Sequence, residues 1–266
     1  MAKKKRRYKC VLCQHFFKKN EMSAEHYPAK SAGNNDIIAL DFLKMAETIQ
    51  SPEIHKEIKN RVSRGEKYSD VAGEIFDRDL AIDLYPKGRT IDSLCRNCNT
   101  FLGKYDESYQ KFFHLSGEPD KIKGFQQKTK IQVIKAIYGK FLSLPEARKE
   151  KFDFIDFVRS SELEKYGGIW NLYLVKRNHT TDLIGLGDIS TGKLEFDEGV
   201  VYELSDEKFI YNLMNFQKHE CFKMTNIFDI LNKNYELIEG VEDDGGYHGQ
   251  LQISNMFSQM IDEDAL

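Results

Sequence analysis

Two Cys-x-x-Cys pairs, far apart along the chain, constrain the fold more than any other feature of the sequence. Cys10 and Cys13 form the first pair, and Cys95 and Cys98 form the second. Two thiolates three residues apart on a tight turn can share one Zn²⁺, and two such turns complete a tetrahedral site. The basic start of the chain has no apolar run typical of a secretory signal, so we expect a structural zinc rather than disulfides. Two redox-active dithiols are the alternative, and Cys221 is interpreted as a small buried hydrophobic residue.

Charge is divided unevenly along the chain. Residues 1–103 carry 19 Lys and Arg against 14 Asp and Glu, whereas residues 104–266 carry 20 against 28. The first 20 residues hold eight basic side chains and no acid, which favours this end for nucleic-acid binding. The arm from Lys3 to Arg7 is a phosphate-binding arm, a solvated tail or a nuclear address, and the sequence leaves these alternatives open.

Composition excludes two broad classes of protein. Hydrophobic residues make up 41% of the 266 and aromatic residues 12%, which is typical of a globular chain rather than a disordered one. No apolar run approaches the ~18 residues of a membrane span. We therefore expect a protein of the cytoplasm, or one associated with DNA, with no membrane partner.

The N-terminal half predicts short strands and helices. A knuckle and hairpin are expected over residues 8–25, with Glu25 and His26 at the end of an extended segment because Pro28 follows. Residues 36–64 show a helical period, first from Ile37 to Ile49 and then in a second helix that starts at Ser51 and Pro52. A turn at 86–88, a strand at 89–94 and a helix from about residue 98 to 109 follow.

The C-terminal half predicts helices followed by strands. Long helical patterns are expected over 119–144 and from Pro145 onward. The hydrophobic period then changes to two, which predicts strands over 169–176, 183–189 and 200–204 with a turn at 190–193. A helix over 206–219 and strands near 235–241 and 250–253 would complete this region.

An acid, an imidazole and an amide lie next to the two cysteine pairs. Glu25 and His26 follow the first pair, and Asn99 directly follows Cys98. A zinc shared by the four thiolates would bring the end of the Glu25-His26 strand to the start of the Asn99 helix. A carboxylate and an amide oxygen could then face one hard cation, while the imidazole deprotonates a water. These are the groups that phosphodiester hydrolysis requires.

The order of these residues resembles the HNH endonucleases, in particular their zinc-stabilised ββα-metal branch. The matching motifs are Cys-x-x-Cys, Glu-His-x-x-Pro and Leu-Cys-x-x-Cys-Asn with Gly103 shortly after, and the match covers residues 10–33 and 88–106. The resemblance implies that His26 is the general base. It also implies that Glu25 and Asn99 hold a catalytic Mg²⁺ or Mn²⁺.

The chain departs from the family pattern in three ways. Asn99 stands where many members have His, which the family tolerates. The Asn expected about five residues before Cys95, which steadies the catalytic His, is replaced by Thr90. A long segment over about 34–87 replaces a short loop and suggests an inserted pair of helices.

These observations predict an α+β fold with two parts. Residues 1–118 would form an HNH-like ββα-metal nuclease module with a helical insert at about 34–87. Residues 119–266 would form a helical and then mixed α/β region outside the catalytic site, whose acidic surface contacts a protein partner or a second copy of the chain. The predicted function is metal-dependent cleavage of DNA, with RNA as another substrate to consider. The alternative is a zinc ribbon that binds nucleic acid or protein and cleaves nothing.

Overall fold

The computed structural model describes residues 7–35, 37–40, 48, 50–177, 191–216 and 224–239. The chain is mixed in secondary structure, with helices and antiparallel sheets. Its contacts divide it into two compact units. One unit consists of residues 35–89, and the other contains the chain up to Asn34 and from Thr90 onward.

The described part of the smaller unit contains a two-stranded antiparallel sheet and two helices with defined ends. Strand β4 (Ile37–Leu40) pairs with β5 (Ala81–Tyr85), so the prediction of a helix starting at residue 36 is wrong for 37–40. A four-residue apolar run fits either a strand or a helix, and the partner strand decides here. Between the strands lie α1 (Pro52–Ser63), α2 (Tyr68–Ile75) and a π-helical turn (Phe76–Leu80).

Helix α1 has the boundaries that its sequence predicts. The Ile54 amide donates to the Ser51 hydroxyl over 3.4 Å, and Pro52 occupies the first helical position, where no amide hydrogen is needed. Gly65 follows the helix with φ = 96°, a left-handed conformation that glycine adopts readily. The predicted start and stop signals are therefore confirmed.

The larger unit begins with two small antiparallel sheets and a long helix. Strands β1 (Tyr8–Lys9) and β2 (Phe16–Phe17) form a hairpin around the first cysteine pair. Strand β3 (Met22–His26) pairs with β6 (Thr90–Cys95), and α3 (Arg96–His114) follows β6 without a loop. Residues at helical spacing form the buried face of α3, namely Leu102, Tyr105, Tyr109, Phe112 and Phe113.

Three further helices follow α3 along the described chain: α4 (Pro119–Ile122), α5 (Gln127–Phe141) and α6 (Ile155–Arg159). The single helix predicted over 119–144 is thus interrupted between α4 and α5, where Gly124 lies. Turns occupy the chain directly after Pro145, and helix resumes only at Ile155. Helix α5 packs along α3, and the Ser108 hydroxyl donates to Gln132 Oε1 over 2.7 Å.

Five described strands form a sheet in the C-terminal part of this unit: β7 (Asn171–Lys176), β8 (Thr191–Phe196), β9 (Gly199–Ser205), β10 (Phe209–Met214) and β11 (Thr225–Asn226). Their order across the sheet is β11-β7-β10-β9-β8. All neighbouring strands run antiparallel. The strands predicted at 169–176 and 200–204 are confirmed.

Five predictions for this region need correction or lie outside the described residues. The predicted helix over 206–219 is wrong for 209–214, which form strand β10, and the turn expected at 190–193 is already strand from Thr191. Near 235–239 there is a single bridge between Lys176 and Glu239 instead of a strand. The strands predicted at 183–189 and 250–253 lie outside the described residues.

One continuous hydrophobic cluster joins most elements of the larger unit. It extends from Cys10 and Leu94, through Phe112 on α3 and Tyr138 on α5, to Tyr211 in the sheet. Trp170, predicted to be a core residue, is 1% exposed and belongs to the same cluster. The cluster crosses the boundary proposed near residue 118, and that boundary stays a prediction.

A buried polar cluster connects α3 to the sheet. The Tyr109 hydroxyl donates to Asp206 and lies 2.7 Å from the Tyr211 hydroxyl. The other carboxylate oxygen of Asp206 accepts from the amides of Lys208 and Phe209 over 2.9 and 2.8 Å. Burial raises the pKa of Asp206 from 3.8 to about 6, although these hydrogen bonds and the charge of Arg177 act in the opposite direction.

This carboxyl group should make stability depend on pH. The folded chain keeps the Asp206 proton up to about pH 6, whereas the unfolded chain releases it near 3.8. The buried protonated carboxyl therefore stabilises the fold fully below pH 3.8, and this stabilisation is lost as pH rises to about 6. The free energy involved is about 3 kcal/mol, since one pKa unit corresponds to ~1.4 kcal/mol. The free energy of unfolding of Asp206→Asn, measured with denaturant across this pH range, should not show that decrease. The matched control is Asp120→Asn, whose carboxylate is 95% exposed. A parallel pH profile for wild type and Asp206→Asn would contradict the assignment.

Candidate functional site

The four predicted cysteines come together in the larger unit. Cys10 and Cys13 lie on the turn of the β1–β2 hairpin, Cys95 ends β6, and Cys98 lies in the first turn of α3. Their four Sγ atoms all lie within 4.8 Å of one another. The Val11 amide donates to the Ser93 carbonyl over 3.0 Å, which holds the hairpin against β6.

The spacing of the sulfurs fits a tetrahedral metal ion. Zn–S bonds of about 2.3 Å place neighbouring sulfurs about 3.8 Å apart, and the Cys13 and Cys95 sulfurs are 4.0 Å apart. All four cysteines are free of disulfides. Four cysteines are thus positioned to bind a metal such as zinc.

Backbone amides around the cluster favour the thiolate form of Cys10. The Cys95 amide donates to Cys10 Sγ over 3.3 Å. Burial alone would raise the pKa of Cys10, but amide hydrogen bonds from Cys13, Cys95 and Leu12 outweigh it and lower that pKa. Zinc binds cysteine as the thiolate, so the backbone contributes to the fit.

His26 and Thr90 form a directly opposed pair in the β3–β6 ladder. His26 is half-buried at the end of β3, and Thr90 is exposed at the start of β6. The register shifts between Ser23 and Glu25, which marks a bulge in the ladder. Bulges redirect neighbouring side chains, and this one separates the zinc end of the ladder from the histidine end.

Asn99 lies in the first turn of α3 and bonds back to β3. Its side-chain nitrogen donates to the Ser23 hydroxyl over 2.8 Å. The amide oxygen of Asn99 takes no part in that bond. The cysteine cluster therefore joins the hairpin to β6 and the start of α3, and this hydrogen bond joins the start of α3 to β3.

Glu25 is paired with a lysine from a distant part of the chain. Its carboxylate is 2.5 Å from the Lys140 ammonium, which also lies 3.3 Å from the Asp106 carboxylate. Glu25 is 5% exposed and Lys140 is 9% exposed. Burial would lower the pKa of Lys140, but the two carboxylates outweigh it and raise that pKa. Lys140 is therefore the counter-ion of both acids.

The predicted divalent-cation site fits this arrangement only in part. Asn99 offers an amide oxygen, which Mg²⁺ or Mn²⁺ accepts as a hard ligand. Glu25 does not fit, because its buried carboxylate already accepts from Lys140 and Mg²⁺ usually keeps several waters. The ion that faces Glu25 here is an ammonium from the protein itself.

Lys140 is the contact that the sequence interpretation missed. It lies on α5, within the segment expected to be outside the site, and it contacts a candidate residue of β3. The signal was available, since Lys140 interrupts the apolar run from Ala136 to Leu144. Burying an ammonium costs free energy unless it is paired and hydrogen-bonded, so a lysine in this run indicates a polar or charged partner elsewhere in the chain.

Several other predicted features fall outside this site or outside the described residues. Lys3 to Arg6 and Cys221 lie outside the described residues, and Arg7 is exposed. Among the described helices, none has the length and apolarity needed to cross a membrane. No protein-family model, curated protein or solved structure matches the chain.

Proposed function

We propose that this protein hydrolyses phosphodiester bonds in DNA at a zinc-stabilised, HNH-like ββα site. The observation that supports the proposal is the grouping of the β1–β2 hairpin, β6 and α3 at the four cysteines, with β3 paired to β6. His26 lies at the end of β3, and Asn99 lies in the first turn of the following helix. The order of strand, strand and helix agrees with the resemblance found in the sequence.

His26 is the residue to which we assign the chemistry. A phosphodiester is cleaved when a water loses a proton, attacks phosphorus and expels the ester oxygen. A half-buried imidazole at a strand end is accessible to such a water and can accept its proton. Thr90, directly across the ladder, would take the place of the family's Asn beside this ring.

The proposed reaction also uses a divalent cation, Mg²⁺ or Mn²⁺. Such an ion stabilises negative charge on the leaving oxygen. The Asn99 amide oxygen is the ligand that supports it, whereas Glu25 is held by Lys140. The role proposed for His26 does not require Glu25 as a ligand.

A non-catalytic zinc ribbon is the second candidate. The observation that favours it is the Glu25–Lys140 ion pair, because this pair occupies one of the two predicted cation ligands. A ribbon of this kind would need the cysteine cluster and the basic N-terminal residues but not His26. The two candidates therefore predict different effects of changing the histidine.

Plasmid cleavage by the His26→Ala variant separates the candidates. Wild type should cleave with added Mg²⁺ or Mn²⁺, and His26→Ala should be slower by ~10²–10⁴-fold because it lacks the general base. Its zinc content, unfolding curve and DNA affinity should match wild type. His114→Ala is the matched control, since His114 is an exposed histidine at the end of α3. Equal rates for wild type and His26→Ala, or no cleavage by zinc-loaded wild type, would favour the ribbon.

A further inference from the structure

The β1–β2 hairpin has two faces of different character. Tyr8 is opposite Phe17, and Lys9 is opposite Phe16, so each pair shares one face of the ladder. Tyr8 and Phe17 pack against the main hydrophobic cluster. The outer face presents Lys9 and Phe16, and the Phe16 ring is 61% exposed. A lysine and an exposed aromatic residue thus share this outer face of the hairpin.

The surroundings of this face are basic. Residues 7–20 contain Arg7, Lys9, Lys18 and Lys19 and no acid. The ion pair of Lys19 with Asp92 offsets one of these charges, and the Glu21 carboxylate accepts from the Lys18 amide over 2.7 Å. Arg7, Lys9 and Lys18 supply the remaining positive charge. The positive charge of this face complements a polyanion. The Phe16 ring adds a planar apolar surface, which binding of phosphates alone would not need.

We propose that this face, Lys9 with Phe16, binds single-stranded DNA by stacking an unpaired base on Phe16 while Lys9 and its basic neighbours contact phosphates. Every base offers a flat face to an aromatic ring, and such stacking on a basic groove is how single strands are bound without sequence preference. The inference rests on the proposed nuclease function and specifies the form of DNA that the protein holds.

The hairpin is held firmly to the candidate site within the same unit. Cys10 and Cys13 share the cysteine cluster with Cys95, and the Val11 amide bonds to the Ser93 carbonyl. A strand bound on the hairpin is therefore bound to the structure that carries His26. Base stacking at Phe16 would select DNA with unpaired bases for cleavage.

A tryptophan at position 16 provides a direct test of stacking. The chain has one tryptophan, Trp170, which is 1% exposed, so a Phe16→Trp variant adds an accessible fluorophore over a shielded background. Titration with a thymidine oligonucleotide of about 16 nucleotides, in His26→Ala protein to prevent cleavage, should quench this fluorescence. Duplex DNA of the same length should quench it much less.

Affinity measurements with matched variants complete the test. Phe16→Ala should bind the single strand about 5- to 150-fold more weakly, the range found for loss of one base–aromatic stack, and Phe16→Tyr should retain affinity. Tyr68→Ala is the control, because Tyr68 is 64% exposed in the other unit. Lys9→Gln should reduce the slope of log affinity against log salt by about 0.7, the value for one phosphate contact on a single strand.

The outcomes separate this inference from the proposed function. The inference would be overturned if the single strand did not quench the fluorescence of Phe16→Trp and if Phe16→Ala bound it with wild-type affinity. It would also be overturned if Phe16→Ala weakened the binding of duplex and of single-stranded DNA equally. Tighter binding of RNA than of DNA of equal sequence would overturn the commitment to DNA. These experiments measure binding and not cleavage. A positive stacking result would therefore stand even if His26 proved not to be catalytic, and a negative one would stand even if the protein cleaved DNA.

Discussion

Replacing Cys95 with serine should release the bound zinc and unfold the larger unit at ordinary temperature. Cys95 is 3% exposed, and its sulfur lies between those of the hairpin knuckle and the helix. Structural zinc in small domains contributes about 10–16 kcal/mol of apparent binding free energy, and losing one of four ligands removes much of it. Metal analysis and thermal unfolding of purified protein would measure both effects, with about one zinc per chain expected for wild type.

Cys221→Ser is the matched control for this prediction. It is the same chemical change at the one cysteine outside the two Cys-x-x-Cys pairs, and it should leave the zinc content unchanged. Wild-type zinc content in Cys95→Ser would refute the four-cysteine site. Release of zinc by both variants would point to a general loss of folding instead.

Replacing Lys140 with methionine should destabilise the fold by about 3–5 kcal/mol, the effect of removing one partner from a buried ion pair. The Glu25 and Asp106 carboxylates would lose the ammonium that faces both of them. Denaturant unfolding would measure the change. Lys123→Met provides the control, since Lys123 pairs with Asp120 at an exposed position, where an ion pair contributes about 0–1 kcal/mol.

A double-mutant cycle then determines what Glu25 does. If Glu25 serves as the ion-pair partner of Lys140, the Glu25→Gln/Lys140→Met double variant should be more stable than Lys140→Met alone, because the uncompensated charge is gone. The Mg²⁺ or Mn²⁺ concentration needed for cleavage should then be unaffected by Glu25→Gln. Glu25 would instead be a metal ligand if Glu25→Gln needed much more Mg²⁺ or Mn²⁺ for cleavage and if the cycle showed no coupling energy between Glu25 and Lys140.

The parts of the site that the sequence predicted are those fixed by short-range chemistry. The cysteine pairs had to form turns to serve one metal, and these turns place the β1–β2 hairpin next to the end of β6 and the start of α3. The Ser51-Pro52 start of α1 was predictable for the same reason, because a cap acts within one turn of helix.

The errors occurred where long-range contacts decide the local structure. Residues of β10 are buried on both faces, so this strand lacks the alternation that distinguishes a strand from a helix. Strand β4 is a short apolar run whose partner lies some 40 residues later in the chain. The pairing of Glu25 with Lys140 has a sequence separation of 115 residues, and no local pattern could assign that partner.

The pairing of His26 with Thr90 has an evolutionary consequence. These two residues face each other across the ladder although a whole compact unit, residues 35–89, lies between them in sequence. The entropic cost of closing a loop increases slowly with its length, by about 0.6 kcal/mol for each doubling. The segment between the two strands is therefore free to grow, shrink or acquire a task of its own while the histidine stays in place. Descendants of such a chain would keep the two short motifs and could differ widely in the distance between them.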